Sequence, residues 1–162
     1  MSQAARVGWG FDAHRLDGDP PLLLGGVEVS DTDGVSATSD GDVLAHAVSD
    51  AVLGAATLGD IGQHFPSSDP ASAGADSMEM LQQIVGMSVD AGWKPEHVDV
   101  TVVAESIRVA PHRDQIKANL AEALGLSPAD VSVKATTTDG LGFIGEGHGL
   151  AAIAIVTAQP LP

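Results

Sequence analysis

The spacing of apolar positions predicts short strands interleaved with three main helices. Val7, Trp9 and Phe11 alternate within residues 5–13 and predict a strand. Leu22-Leu23-Leu24-Gly25-Gly26-Val27-Glu28-Val29 predicts two short strands turning at the glycine pair. Leu44, Ala47, Val48, Ala51, Val52 and Ala55 recur at the helical period and predict a helix with one buried face. Ser39-Asp40-Gly41-Asp42 stands before it and predicts an N-cap at Ser39 with an acid at the third helical position. Residues 57–75 are dense in Gly, Pro, Ser and Asp and predict a loop. A second helix is expected from Asp76 or Ser77 to about Gly92, with Met80, Leu81, Ile84 and Val85 on its apolar side. Val98–Ala104 is an expected strand. Pro111 marks a helix start, and Ile116, Leu120, Ala123 and Leu124 carry that helix to Gly125. Ser127 and Asp130 frame a turn, Val131–Thr136 is a strand, and the unbroken apolar run Leu150–Thr157 predicts a buried strand. This order implies an α+β fold: a two-layer sandwich with a mixed sheet of about four main strands, helices on one face and a small hairpin. No repeat or linker divides residues 1–162, which are expected to form a single domain.

Composition narrows the chemistry. There is no cysteine, which removes disulfides, thiolate catalysis and Cys-ligated zinc. The net charge is −15. Seven dispersed basic residues cannot assemble a patch for a nucleic-acid backbone or an anionic membrane. A phosphate-bearing substrate stays open, with metal ions, backbone N–H groups and a few placed Lys or Arg to offset its charge. No apolar run is long enough to span a bilayer, and residues 1–6 lack an apolar stretch of signal-peptide type, so the expected compartment is the cytoplasm.

Four constellations could carry chemistry. Asp12 and His14 stand two apart on a strand, so carboxylate and imidazole share one side and could share one metal; a plain strand end gives the same pattern. His46 lies off the apolar stripe of the first helix, and Asp50 is spaced to accept its second ring N–H; a solvated helix face would also read this way. Taken together, Asp12, His14 and His46 are three N/O ligands with a fourth position free, a set suited to catalytic zinc. Lys134-Ala135-Thr136-Thr137-Thr138-Asp139-Gly140-Leu141-Gly142 offers hydroxyls, turn amides and a carboxylate to a phosphate and Mg²⁺, or is simply a Thr-rich strand end with a Gly turn. Gly59-Asp60-Ile61-Gly62-Gln63-His64-Phe65-Pro66 sits in a loop long enough to be functional, or is a surface loop anchored by Phe65.

Ser39-Asp40-Gly41-Asp42-Val43-Leu44-Ala45-His46-Ala47, Asp50-Ala51-Val52-Leu53-Gly54-Ala55, Gly59-Asp60-Ile61-Gly62, Phe65-Pro66, Gly74-Ala75-Asp76-Ser77 and Lys134-Ala135-Thr136-Thr137-Thr138 resemble the 2-C-methyl-D-erythritol 2,4-cyclodiphosphate synthases, in order, from about Val7 to Val156. The resemblance implies a lyase of the non-mevalonate isoprenoid pathway. It would cyclise 4-diphosphocytidyl-2-C-methyl-D-erythritol 2-phosphate with release of CMP, as a homotrimer with active sites between subunits. It also implies that Asp12, His14 and His46 hold one divalent metal per subunit, zinc first among them, with Asp50 behind. Mg²⁺ or Mn²⁺ would accompany the diphosphate at Asp139, beside Thr136 and Thr137. Thr38 and Thr137 take the positions of catalytic groups. Substrate positions carried over are Asp12, His14, Thr38, Ser39, Asp60, Ile61, Gly62, Phe65, Asp69, Ala104, Arg108, Val109, Ala110, Lys134, Thr136, Thr137, Asp139, Phe143 and Glu146, with Ala104–Ala110 lining a cytidine pocket from the neighbouring subunit.

The chain departs from the family pattern at several of these positions. Thr38 replaces a histidine, Ser67 an acid, Arg108 a lysine and Asp139 a glutamate. Glu146 and His148 stand where Arg and Glu are usual, facing a cavity on the trimer axis. A trimeric paralogue that binds metal and nucleotide but has lost turnover is the alternative reading, and a metal-dependent hydrolase a third.

Overall fold

The computed structural model describes residues 4–162; Met1, Ser2 and Gln3, part of the N-terminal stretch considered above, lie outside the described residues. The elements run β1 (Arg6–Arg15), β2 (Leu22–Leu24), β3 (Val27–Ser30), α1 (Val43–Ala56), α2 (Ile61–His64), α3 (Ser77–Asp90), β4 (Trp93–Val103), α4 (Arg113–Leu124), β5 (Val131–Thr136), α5 (Gly142–Gly145) and β6 (Gly149–Pro160). The four long strands form one mixed sheet in the order β1-β6-β4-β5, with only β4 and β5 parallel. β2 and β3 form a separate hairpin turning at Gly25 and Gly26, both at positive φ as a two-residue turn requires. Helices α1, α3 and α4 cover one face of the sheet, the expected α+β sandwich.

The alternation in β1 has the opposite sense from the usual one. Trp9 and Phe11 stack on each other (ring centroids 6.2 Å apart) and face outward, with Trp9 61% exposed. Gly8 and Gly10 face the helices. A Cβ at Gly8 would lie 1.8 Å from the Ala51 carbonyl oxygen, and one at Gly10 1.9 Å from that of Ala47. Helix α1 therefore rests backbone to backbone on β1, which neither a larger strand residue nor a shift of the helix could keep. The same face continues through Val156, Ala154 and Ala152 of β6 and Val98, Val100 and Val102 of β4, all buried.

Four expectations are revised. The N-cap of α1 is Asp42, not Ser39. Gly41 at φ +75° breaks any helix begun at Ser39, and the buried Asp42 carboxylate accepts from Ala45 N (3.0 Å), Gly25 N (3.0 Å) and Gly26 N (2.8 Å). One side chain thus caps the helix and ties down the hairpin turn. β4 begins at Trp93 rather than Val98, because β6 pairs with it from Trp93 onward; β5 joins only at Val98, so the earlier stretch has a free edge on which Pro95 is tolerated. β6 is longer than expected, buried on both faces over Gly149–Ala152 but beyond that on one only: Ile155 is exposed opposite Trp9. The expected loop 57–75 holds the single turn α2 and a 3₁₀ turn at Pro70–Ser72.

Two glycine substitutions separate close approach from helix propensity. Gly8→Ala is expected to destabilise the protein by about 2–3 kcal/mol through overpacking. Gly86→Ala, inside α3 with nothing within 4 Å of an added Cβ, is expected to stabilise by about 1 kcal/mol. Urea unfolding of both variants checks the pair; equal effects would mean that α1 can move off β1.

Candidate functional site

Asp12 and His14 share the parity of Gly8 and Gly10, so both side chains point toward the helix layer. His46 comes down from the first turn of α1 to meet them. Asp12 Oδ2 lies 2.9 Å from His14 Nε2 and 3.0 Å from His46 Nδ1, and the two ring nitrogens are 3.5 Å apart. One donor atom from each residue lies within 4.8 Å of the others, the only such group of His, Asp and Glu among the described residues. Two imidazoles and a carboxylate with a side open to a pocket fit a divalent metal with a free coordination position, as zinc takes in catalytic sites.

Burial and neighbouring groups shift Asp12 and His46. Burial works to raise the Asp12 carboxyl, but hydrogen bonds from His14 and His46 outweigh it and hold Asp12 at about 2. Burial works to lower His46, but the hydrogen bond and charge of Asp12, with the charges of Asp42 and Asp40, leave it above its ordinary value. Asp50 is raised, first by burial.

Around the group is a pocket of about 180 Å³ whose walls include Thr38, Ser39, Ile61 and Phe65. Asp60 caps α2 through Gln63 N (3.1 Å), with Gly62 inside that turn. Asp69 caps the following 3₁₀ turn and borders an adjoining cavity with Phe65. The Asp50 carboxylate does not take the second ring N–H of His46. It accepts from Ile61 N at 2.7 Å, holding the α2 loop against α1. The second ring nitrogen, Nε2, instead faces Ser77 Oγ at 2.9 Å and Ser39 Oγ at 3.2 Å. Ser77 and its partner Asp40 were not anticipated as neighbours of His46. The pairing spans 31 residues and the chain carries no local pattern for it.

The remaining predicted residues form a second cluster. Ala104 N donates to Thr136 O (3.0 Å) and Thr138 N to Glu105 Oε2 (3.3 Å), joining the Ala104–Ala110 segment to the end of β5. Thr137 Oγ1 lies 3.3 Å from Asp139 Oδ1, both exposed, with Asp139 in the left-handed turn conformation. Arg108 is exposed nearby in sequence, while the side chains of Ala104 and Val109 are buried, so those two positions offer backbone. Ala110 opens the 3₁₀ turn before α4. Lys134 lies on the outer sheet face, paired with Asp99 at 2.8 Å. Phe143 is exposed on α5, and Glu146 lies 3.5 Å from His148. The two clusters occupy the same end of the sheet but opposite edges, β1 and β5, three strand spacings or about 14 Å apart.

An α+β sheet domain presenting two imidazoles and a carboxylate at a pocket mouth defines a metal-binding enzyme. The chain belongs to the YgbB family, whose model matches residues 5–159. It is 50% identical over 154 residues to the 2-C-methyl-D-erythritol 2,4-cyclodiphosphate synthase of Idiomarina loihiensis, covering 95% of this chain and 97% of that one. Over 154 residues it is also 50% identical to the synthase of the same name from Syntrophomonas wolfei, covering 95% and 98%. Among solved structures it is similar to the bifunctional IspDF from Campylobacter jejuni, with a TM-score of 0.95 and 40% identity over 98% of this chain but 43% of that longer one. It is similar too to the CDP complex of IspF from Plasmodium falciparum, with a TM-score of 0.84 and 30% identity over 98% of this chain and 97% of that one.

The raised His46 gives a signed pH dependence. In metal-free protein its ion pair with Asp12 is present in full below the ordinary imidazole value of 6.5, and is lost as pH rises through the raised folded value. The stability gap between parent and His46→Ala, both chelator-treated, is therefore expected to be largest near pH 5 and to shrink toward pH 9. Denaturant unfolding across that range reads it, and a gap that grows with pH would contradict the assignment.

Proposed function

We propose that this chain is a cyclodiphosphate synthase of the non-mevalonate pathway. It converts 4-diphosphocytidyl-2-C-methyl-D-erythritol 2-phosphate to 2-C-methyl-D-erythritol 2,4-cyclodiphosphate and CMP. The observation that carries this is the intact Asp12–His14–His46 group in a chain half-identical, nearly end to end, to synthases of that name. The non-turning paralogue has no comparable support.

In this reading the 2-phosphate oxygen attacks the β-phosphorus of the same molecule and CMP leaves. Nucleophile and leaving group belong to one substrate, so the protein's task is positioning and charge neutralisation. Asp12, His14 and His46 hold one divalent metal, proposed as zinc, and Asp139 with Thr136 and Thr137 receives the diphosphate with Mg²⁺ or Mn²⁺. Bound there, the metals supply Lewis-acid polarisation of phosphate oxygens, which a chain of net charge −15 cannot supply from its own side chains. Thr38 and Ser39 line the pocket beside the reacting phosphates, where the Thr38 hydroxyl donates one neutral hydrogen bond. Asp60, Ile61, Gly62, Phe65 and Asp69 border the sugar end, and Ala104–Ala110, with Arg108, receives cytidine. The CDP seen with the Plasmodium falciparum relative supports a cytidine nucleotide as ligand.

A homotrimer with sites between subunits belongs to the same proposal, and two features support it. The uncovered sheet face carries Val7, Trp9, Phe11 and Ile155, an apolar surface that a second copy would bury. The two half-sites sit on opposite sheet edges, so the β1 edge of one copy can meet the β5 edge of the next. No described helix is long and apolar enough to cross a membrane.

Purified protein given the cytidine diphosphate substrate, Zn²⁺ and Mg²⁺ is expected to release CMP with the cyclic diphosphate. Linear diphosphate would indicate a hydrolase, and binding without CMP the silent paralogue. Sedimentation provides the second check. Three copies carry 3 × (−15) = −45, so trimer stability is expected to rise from low to moderate salt as repulsion is screened. A monomer at micromolar concentration and every salt level would overturn the shared-site reading.

A further inference from the structure

We propose that Asp50 is a positioning residue for the substrate: it holds the Asp60–Gly62 segment where the sugar end is gripped, and so sets KM rather than turnover. The inference deepens the synthase reading and rests on it. Asp50 stands one turn after His46 on α1, so the metal group and the tether are mounted on one rigid element. Its Oδ1 accepts from Ile61 N at 2.7 Å. Ile61 is the first residue of α2, and its amide is one that the helix itself cannot pair.

Nothing else on the page does this work. Asp60, the cap of α2, spends both carboxylate oxygens on Gln63, accepting from its N at 3.1 Å and its Nε2 at 3.2 Å. The other hydrogen bonds of residues 59–66 close within the loop: His64 Nε2 donates to Leu58 O at 2.8 Å, Phe65 N to Ile61 O and Ser72 Oγ to Pro66 O. Among the described residues, Asp50–Ile61 is thus the single hydrogen bond that ties residues 59–66 to a long helix or strand. No residue of α2 is buried, and Ile61 and Phe65 pack against the core only in part. With the tether in place the segment is ordered before substrate arrives. Without it, the segment must be ordered as the sugar binds, and apparent affinity falls by the fraction of time it spends in the competent position. Once substrate is bound, its own contacts hold the segment, so the saturated enzyme keeps its turnover.

Parent, Asp50→Ala and Asp50→Asn, all zinc-loaded, are compared in CMP release, CDP affinity, zinc content and hydrogen exchange of the Ile61 amide. Asp50 is half-buried in the middle of α1, where alanine keeps the helix. A segment competent about one-tenth of the time raises KM about 10-fold, so Asp50→Ala is expected to show that rise with kcat per zinc-loaded subunit within about twofold of parent. CDP lacks the sugar end, so its affinity should stay at the parental value, as should zinc content, while Ile61 exchange quickens. Asp50→Asn keeps an oxygen acceptor and should restore both KM and slow exchange. An unchanged KM in Asp50→Ala overturns the proposal, as does a fall in kcat at unchanged KM, which mere loss of folded enzyme would give. Loss of zinc in Asp50→Ala overturns it too, because Asp50 would then act through His46. So does a KM rise that Asp50→Asn fails to reverse, since charge rather than the hydrogen bond would explain it. Failure of the synthase reading looks different: the parent itself would release no CMP and the proposal would fall with it, while Ile61 exchange would still report the tether.

Discussion

Everything at the metal group depends on how closely α1 lies against β1. The helix carbonyls of Ala47 and Ala51 come down onto strand positions that have no side chain, Gly10 and Gly8. His46 precedes one of those contacts by a single residue, and Asp12 and His14 follow the glycines on the same strand face. A donor set with spacings of 2.9 to 3.5 Å tolerates little play between the elements that carry it. Close packing of backbone on backbone supplies that rigidity better than interdigitated side chains, which can change rotamer. The small residues of this layer are thus part of the site, although none of them touches a ligand.

Much of the fold was legible because its signals are local. The Gly25-Gly26 turn, the Asp76 cap, the Gly125 stop and the whole of Val131–Thr136 follow from residues within a few positions of one another. The Asp12–His14 pairing was legible for the same reason, since strand parity is a local rule. What was misread depends on contacts distant in sequence. Asp42 looked like the third residue of a helix, because nothing nearby shows that the hairpin turn 16 residues earlier needs its carboxylate. Asp50 looked like the partner of His46 because it stands one turn away, but the ring faces the other way, toward Ser77 on another helix.

The outer sheet face shows a different limit. Alternation along β1 predicts a strand without saying which parity is covered. Ordinary patterning would bury Val7, Trp9 and Phe11, and the glycines between them would pass as spacers. The helix chose the glycines, leaving the aromatic side in solvent within one copy. Likewise the continuous apolar run of β6 is apolar on both faces, while beyond Ala152 its own chain buries only one. In both strands the sequence carries apolar residues on both faces, and the helix layer covers one of them.

Asp42 ties together parts of the chain that could not hold their shape separately. A two-stranded hairpin is marginal in water, and the first turn of a helix has orphan amides. One carboxylate with no exposure to solvent takes amides from both, those of Gly25, Gly26 and Ala45. Opening either element strips that buried carboxylate of part of its donors, so neither opens without cost to the other. The hairpin and the leading turn of α1 consequently behave as one cooperative unit, and those three amides exchange with solvent through a shared opening rather than by local fraying.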